Sequence, residues 1–495
     1  MGGSSRLDRG VGCLVGAAVG DALGAGYEFT RSPSDPICMK GGGSFGWEQG
    51  EWTDDTQMTI CLAQSVREGH VDLELVGERF LGWAGSGVKD IGIQTRAVLG
   101  DASGPSDLSR AAADYFNKHP GNSAGNGSLM RTAPVALVHL GDDELIWKTA
   151  RDVSALTHGD PRAGEACGLW CIAIDRAIRE DRLDGIHDGL ELLEPARRSF
   201  WADAIEAAEG NDPRTFTPNG YVVTALQAAH AAVIQTPIPE AFPSTHFSDA
   251  LRRAVRIGHD TDTVASIAGA LLGARWGASG MPCLATSLIH GWPEMVRRDL
   301  GVLAVRCMGR DNDESGWPDA ASLSEHYRTA PEAEGKWGHL STQPRLIIGD
   351  VGALGLLGDE FDADVVVSLC RLGHDDVPEG IAHHEIRMID ESAPSSNENL
   401  DWLLVDLAFS IEAWIDDGNT VFLHCVGGNS RTPTVAASYL IASQGMSPES
   451  ALFEATEPLR SRFHNEGFRR ALERVWGSGE RDRLAGIWER AQLTC

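Results

Sequence analysis

From residue 6 to about residue 308, apolar positions recur at helical spacing within segments rich in Ala and Gly. Val264, Ile267, Ala268 and Leu271 fall at i, i+3, i+4 and i+7, and scarcely any stretch alternates apolar with polar residues. The pattern predicts an all-helical domain over 6–308, with Gly20, Gly24, Gly269 and Gly273 permitting close helix contacts. Between 309 and 342 the periodicity breaks at Asp311, Asn312, Asp313, Gly316, Pro318, Pro331 and Gly335, which reads as a polar linker. Beyond it, short strands at 345–349 and 365–369 alternate with helices expected near 400–415, 432–443 and 448–455. That alternation predicts a second domain over 343–495, of α/β class with a central parallel sheet and helices on both faces. Two domains also suit a chain of 495 residues, which exceeds what one hydrophobic core usually supports.

Composition narrows the classes of partner. A formal net charge of -29 argues against nonspecific nucleic-acid binding and against anionic membranes, so any phosphate ligand must be held by local cations, loop amides or metal ions. The ten cysteines lack paired metal-type spacing, and the closest pair, Cys167 and Cys171, stands at helical spacing in an apolar stretch. They read as core packing in a reducing compartment. Arg6 and Arg9 before the apolar run 11–20 imitate a short signal peptide, but Asp21 argues against cleavage there. Met1-Gly2 lacks the Ser or Thr at the sixth position that myristoylation requires, and no apolar stretch is long enough to span a bilayer. A cytoplasmic protein is expected.

The densest chemistry lies where an apolar strand ending in His424-Cys425 runs into Val426-Gly427-Gly428-Asn429-Ser430-Arg431-Thr432. A phosphate monoester dianion needs converging N–H groups, a guanidinium and a nucleophile beneath phosphorus. Gly427 and Gly428 let the backbone curl, and a helix beginning near Arg431 aims its positive end at the anion. The same field favours the Cys425 thiolate, Arg431 offers a fork matching two phosphate oxygens, and Thr432 could stabilise the thiolate as it leaves. Asp390 is the candidate acid for the leaving oxygen, in competition with Asp375, Asp376 and Glu391. A plainer reading makes Cys425 a buried core residue and Arg431 half of a structural ion pair. The pattern His-Cys-x-x-Gly-x-x-Arg-Thr resembles the signature of dual-specificity and tyrosine phosphatases. The resemblance implies a phosphocysteine intermediate, a phosphorylated protein or small phosphomonoester as substrate, and no cofactor.

Two acidic clusters stand far apart in the helical domain, Thr53-Asp54-Asp55-Thr56 and Asp260-Thr261-Asp262-Thr263. Either alone is explained as a helix N-cap. Together they form a hard-oxygen set of four carboxylates with Thr hydroxyls, suited to two Mg or Mn ions bridged by a shared carboxylate.

The run 16–24 followed by Glu28-Phe29, then Thr53–Thr56, Asp90-Ile91-Gly92, 125–131, Thr157-His158 and 260–263, resembles the ADP-ribosylglycohydrolase family, motif after motif in the family's order. The resemblance implies packed helices around a dinuclear Mg or Mn site, with Thr53, Asp54, Asp55, Asp260, Asp262 and Thr263 at the ligand positions. It implies hydrolysis at the anomeric carbon of ADP-ribose, from an ADP-ribosylated protein or a small ADP-ribose derivative. Glu28 is the candidate for moving a proton, with a solvated acid beside Phe29 as the plainer reading. Asn126, Gly127, Ser128 and Met130 form the ADP-ribose cradle, and Gly92 plays a similar part beside Asp90. His158 is either a contact to phosphate or ribose or a structural residue, and Arg131 could brace that loop by an internal salt bridge. The leading reading is a two-headed hydrolase. One alternative is an ADP-ribose reader without turnover, which the intact acids oppose. Another has both heads acting on one phosphorylated ADP-ribose substrate.

Overall fold

The computed structural model describes residues 3–31, 33–34, 36–310, 312–328, 333–477 and 479–495. Asp311 and Pro331 of the expected linker, and Met1-Gly2, lie outside the described residues. The chain divides into two compact units, one of residues 6–310 with 493–495 and the other of 311–492 with 1–5.

The helical unit is organised by α1 (Gly3–Ala25), α2 (Asp54–Ala63), α3 (Pro161–Glu180) and α4 (Thr261–Trp276). Every residue of α4 except Arg275 is buried, so this helix is apolar all round rather than amphipathic. Small residues make that possible. A Cβ placed on Gly273 would lie 1.9 Å from the Gly12 carbonyl oxygen, one on Gly269 would lie 2.1 Å from that of Gly16, and one on Gly20 would lie 2.0 Å from that of Ala265. The two helices therefore run antiparallel in backbone contact, and at its far end Gly24 meets Asp262. Trp170 of α3 closes the other side, its indole N–H donating to the Ile267 carbonyl at 3.0 Å. Only two two-stranded pairs interrupt the helical pattern among the described residues, Val66–Arg67 with His70–Val71 and His290–Gly291 with Met295–Val296. No described helix is long and apolar enough to cross a membrane.

One expectation about the cysteines fails. Cys38 and Cys495 form a disulfide across 457 residues of sequence. Beside it Met39 pairs with Thr494, Leu493 is fully buried, and the Met39 N–H donates to the Leu493 carbonyl at 2.7 Å. Sequence spacing could not show this, because the two thiols meet only after the chain's last residues return to the helical unit. The other eight cysteines are free and buried.

The second unit carries a five-stranded sheet of β1 (Trp337–Leu340), β2 (Gln343–Asp350), β3 (Val365–Ser368), β4 (Ala382–Glu385) and β5 (Val421–Cys425), in the order β1-β2-β5-β3-β4. All pairings are parallel except β1 with β2. β5 is central and fully buried, and Asp350 of β2 stands opposite Cys425. The helices expected beyond residue 400 are α5 (Leu400–Asp416), α6 (Arg431–Gln444) and α7 (Pro448–Thr456). Residues 312–342 also hold structure: a helix at Ser324–Arg328 and all of β1, while His374 and Asp375 donate backbone bonds to Ala320 and Ala321.

The α1–α4 contact yields a paired prediction. Gly269→Val should destabilise the helical unit by about 1–3 kcal/mol through overpacking. Gly82→Ala, in the helix Leu73–Ala84 with nothing within 4 Å of its added methyl, should stabilise it by about 0.5–1 kcal/mol. Denaturant midpoints of the two variants check both signs.

Candidate functional site

In the helical unit, the register of α1 on α4 sets Asp21 beside Asp262. Asp21 is fully buried and accepts from the Thr53 and Thr56 N–H groups and from Thr56 Oγ1 at 2.6 Å, so a carboxylate from α1 caps α2. Asp55 Oδ2 accepts from Thr53 Oγ1 and from Thr263 Oγ1, each at 3.2 Å, which joins the starts of α2 and α4. Two groups of three carboxylates result, Asp21, Asp55 and Asp262, then Glu28, Asp260 and Asp262, each group with its ligand atoms within 4.8 Å of one another. Asp262 belongs to both.

The six expected metal ligands thus converge unequally. Asp55, Asp260 and Asp262 enter the two groups, Thr53 and Thr263 hydrogen-bond Asp55, and Asp54 is buried nearby but belongs to neither group. Asp21 is the residue that sequence reading missed. It sat inside a quoted motif, in Gly20-Asp21-Ala22, but had no neighbouring acid to draw attention to it.

Burial, reinforced by mutual repulsion, raises the pKa of these acids. Glu28 reaches about 9, with Asp260, Asp90 and Asp54 adding to the effect of burial. Asp54 reaches about 8 and Asp21 about 6, and Asp55, Asp90, Asp260 and Asp262 also rise, burial being the main cause for each. Asp55 Oδ1, Asp262 Oδ1 and Glu28 Oε2 are buried without a hydrogen-bond partner among the described residues. Orphaned, all-oxygen donors that repel one another fit hard divalent cations, which would neutralise the charge and occupy the free lone pairs.

The expected cradle lies alongside. Asn126 Nδ2 donates to Asp260 Oδ2 at 2.8 Å and to the Asn219 carbonyl, tying the loop to the acids. Ser128 turns its hydroxyl inward to accept from Ser154 at 2.8 Å, and Met130 is buried, so these two face the core with their side chains. Gly127 packs against His158, whose Cε1 would stand 3.3 Å from an added Cβ. Asp90 Oδ1 accepts from the Ile91 N–H at 2.7 Å, and Gly92 opens the helix Ile93–Asp101. Arg131 differs from expectation. It is fully buried with no carboxylate partner among the described residues, donating instead to Thr157 Oγ1 and Met58 sulfur and lying 4.4 Å from the Phe80 ring centroid.

In the second unit, Cys425 ends β5 and Arg431 begins α6, with the loop Val426 to Ser430 between them. Gly428 takes φ +65°, which a side chain would resist, whereas Gly427 does not need a left-handed backbone. The N–H groups of Gly427, Gly428, Asn429 and Ser430 have no hydrogen-bond partner among the described residues, so they are available to an anion at the start of α6. The Val426 carbonyl is occupied by the Val351 N–H at 3.2 Å, and Thr432 Oγ1 donates to the Gly349 carbonyl at 3.3 Å, so its hydroxyl is engaged away from sulfur. Arg431 is aimed by the Leu369 and Met388 carbonyls, which accept from Nη1 at 2.6 and 3.2 Å. Burial opposes its charge, but Cys425, Cys370 and Asp390 around it raise its pKa overall.

Among the competing acids, Asp390 Oδ2 lies 3.8 Å from Arg431 Nε, while Oδ1 accepts from Asn465 Nδ2 at 2.9 Å. Asp376 is spent on structure, accepting from the backbone N–H groups of Leu323, Ser324 and Gly373. Asn465 carried no sequence signal, since it lies 75 positions from the carboxylate that it holds.

Fold and sites together define a chain with two hydrolase units, one polyanionic and one built for an oxyanion. Residues 3–315 match the family profile described as ADP-ribosylglycohydrolase, and residues 362–445 match one described as polymorphic toxin system, DSP-PTPase phosphatase. The first match spans more than half of the chain, which belongs to the ADP-ribosylglycohydrolase family. The chain is 32% identical over 286 residues to the ADP-ribosylarginine hydrolase Tri1 of Pseudomonas putida (strain GB-1), covering 56% of this chain and 72% of that protein. It is 28% identical to the ADP-ribosyl-[dinitrogen reductase] glycohydrolase of Rhodospirillum rubrum, covering 57% and 90%. A crystal structure of human DUSP28 is similar over 28% of this chain and 91% of its own, at 21% identity and TM-score 0.24. The chain is a bifunctional hydrolase, with an ADP-ribosyl hydrolase domain and a dual-specificity-type phosphatase domain.

The acid cluster sets a pH dependence. Unfolded carboxylates titrate near about 4, whereas Asp21, Asp54 and Glu28 hold protons to about 6, 8 and 9 in the folded, metal-free protein. Between these limits the folded state binds more protons than the unfolded one, so this cluster's contribution to stability falls as pH rises. Divalent cations held by this cluster would replace those protons. The gain in denaturation midpoint on exchanging EDTA for Mn should therefore widen steadily from pH 5 to 9, whereas a gain independent of pH would place the cation elsewhere.

Proposed function

We propose that the helical unit hydrolyses the glycosidic bond between the anomeric carbon of an ADP-ribosyl group and an arginine side chain, using two Mg or Mn ions. The observation that carries this reading is the pair of carboxylate groups sharing Asp262, with buried oxygens left open on Asp55, Asp262 and Glu28. The arginine acceptor is supported by relatives named as ADP-ribosylarginine hydrolases at 32% and 30% identity. Asp21, Asp55, Asp260 and Asp262 would hold the ions, with Thr53, Thr263 and Asp54 completing the oxygen set. When bound, they supply positive charge for the ribose hydroxyls and for activation of the attacking water. Glu28, whose Oε2 is buried without a hydrogen-bond partner among the described residues, would give or take a proton there as the C–N bond breaks. Asn126 links the cradle to Asp260, so the loop that holds ADP-ribose moves with the ligand set.

The second unit is proposed to cleave phosphomonoesters through a phosphocysteine. Cys425 sulfur attacks phosphorus, an S–P bond forms as the P–O bond breaks, and the departing oxygen takes a proton from Asp390. Water then attacks phosphorus, giving its proton back to the Asp390 carboxylate as the S–P bond breaks, and the Cys425 thiolate and phosphate are released. The free N–H groups of Gly427 to Ser430 and the guanidinium of Arg431 hold the equatorial oxygens throughout. Asn465 keeps Asp390 Oδ2 turned toward the Arg431 end of the loop. The unit boundaries proposed for these activities are 6–308 and 343–495, with 309–342 joining them and supplying β1 to the sheet.

Release of ADP-ribose from an ADP-ribosyl-arginine peptide tests the first activity. It should require Mg or Mn, stop in EDTA, and fall at least about 100-fold in Asp262→Ala, because that acid belongs to both carboxylate groups. Release that persists in Asp262→Ala with EDTA would refute the metal-dependent reading, and release only from ADP-ribosyl-serine would move the acceptor. For the second activity, Cys425→Ser should abolish aryl phosphate hydrolysis while ADP-ribose release continues. Asp390→Asn should slow poor leaving groups by about 100-fold and activated aryl phosphates much less; equal slowing of both would place the acid at another residue.

A further inference from the structure

Behind the glycine loop of the helical unit lies a short polar chain embedded in the core. Arg131 and Thr157 are fully buried and His158 is 3% exposed. Arg131 Nη2 donates to Thr157 Oγ1 at 2.6 Å, and Thr157 Oγ1 lies 2.7 Å from His158 Nδ1. The backbone fixes the ring as well, since the Thr157 and His158 N–H groups both turn back to the Ser154 carbonyl.

Proton counting settles the tautomer. A guanidinium can only donate, so its contact uses one lone pair of the Thr157 hydroxyl. The hydroxyl hydrogen still needs an acceptor, and among the described residues His158 Nδ1 is the one within reach. If Nδ1 carried its own hydrogen, Thr157 would accept twice and its buried O–H would point at nothing, an arrangement that folded proteins avoid. Nδ1 is therefore the acceptor. Burial, aided by the Arg131 charge, pushes the His158 pKa down to about 3, which keeps the ring neutral. The remaining proton must sit on Nε2.

That Nε2–H faces the loop expected to cradle ADP-ribose. A Cβ built on Gly125 would lie 3.3 Å from Nε2, and one on Gly127 would lie 3.5 Å from it. Glycine at both places leaves the N–H uncovered, and it has no hydrogen-bond partner among the described residues although the residue is almost wholly buried. We propose that Arg131 and Thr157 are positioning residues that lock His158 as a neutral Nε2–H donor to an oxygen of the ADP-ribosyl group. This rests on the helical unit binding ADP-ribose. It excludes His158 as a general base at Nε2, because that nitrogen already carries its proton, and it explains a buried arginine with no carboxylate beside it. The shared chemistry is an acceptor oxygen, available on either the pyrophosphate or the ribose.

Two measurements on the full chain test the proposal. Ring ¹⁵N spectra, with the His158 signals assigned by their loss in His158→Gln, should show a protonated Nε2 and an unprotonated Nδ1 at neutral pH. Calorimetry should find ADP-ribose bound about tenfold more weakly by Thr157→Val, with near wild-type affinity in Thr157→Ser, the loss expected for one hydrogen bond. KM should rise with the Val variant more than kcat falls. A comparable loss with ADP places the contact on the pyrophosphate, and a loss confined to ligands containing the second ribose places it there. A protonated Nδ1 in the wild type would overturn the proposal even if Thr157→Val failed to fold. So would unchanged ADP-ribose affinity in a folded Thr157→Val protein. Failure of the wild type to bind ADP-ribose would instead refute the functional reading and with it the proposed ligand, while the spectra would still decide the tautomer.

Discussion

The helical unit depends on backbone contact between α1 and α4. Gly12, Gly16 and Gly20 on one helix face Gly273, Gly269 and Ala265 on the other, with no room for a side chain between them. Close packing of this kind fixes register, because sliding either helix would drive a Cβ into a carbonyl. Register in turn puts Asp21 beside Asp262, and Asp21 then captures the start of α2 through Thr53 and Thr56. The acid cluster is thus a consequence of helix packing. Its members come from three helices and from the residues that flank them, Glu28 after α1 and Asp260 before α4.

The two units solve opposite electrostatic problems. In the helical unit, carboxylates are concentrated in a buried space with helix N-termini as partial compensation, so their protonation and any bound cation are tightly linked. In the phosphatase unit the local field is positive, from Arg431, the free loop N–H groups and the start of α6, within a chain of net charge -29. Long-range attraction cannot bring phosphate to such a protein, so short-range geometry has to hold it. The disulfide between Cys38 and Cys495 adds a second kind of thiol chemistry to a chain whose other described cysteines, Cys425 included, are free.

Much of this was legible in the sequence because the information was local. Helical spacing over 6–308, strand-helix alternation after 343, and the run from Cys425 to Thr432 each occupy contiguous residues, and each predicted its element correctly. The helix starts at Asp54 and Thr261 were visible as caps, and four of the acids near them were named for a shared metal site. Asp21 was passed over because a lone acid in an apolar helix has no local signature, and α4 is buried all round, which its one visible apolar stripe did not reveal.

The sequence by itself determined the elements, the residue types and the chemistry they permit, since propensity, periodicity and loop motifs act over a few residues. Tertiary structure alone decided which of those residues meet. Asp262 is shared between two carboxylate groups, Asn465 holds Asp390, Arg131 and His158 meet at the Thr157 hydroxyl, and Cys38 finds Cys495. Each is a contact between distant segments or a choice between hydrogen-bond arrangements. Such outcomes follow from packing and from the cost of leaving a buried polar group unpaired, and neither is written in the order of residues along the chain.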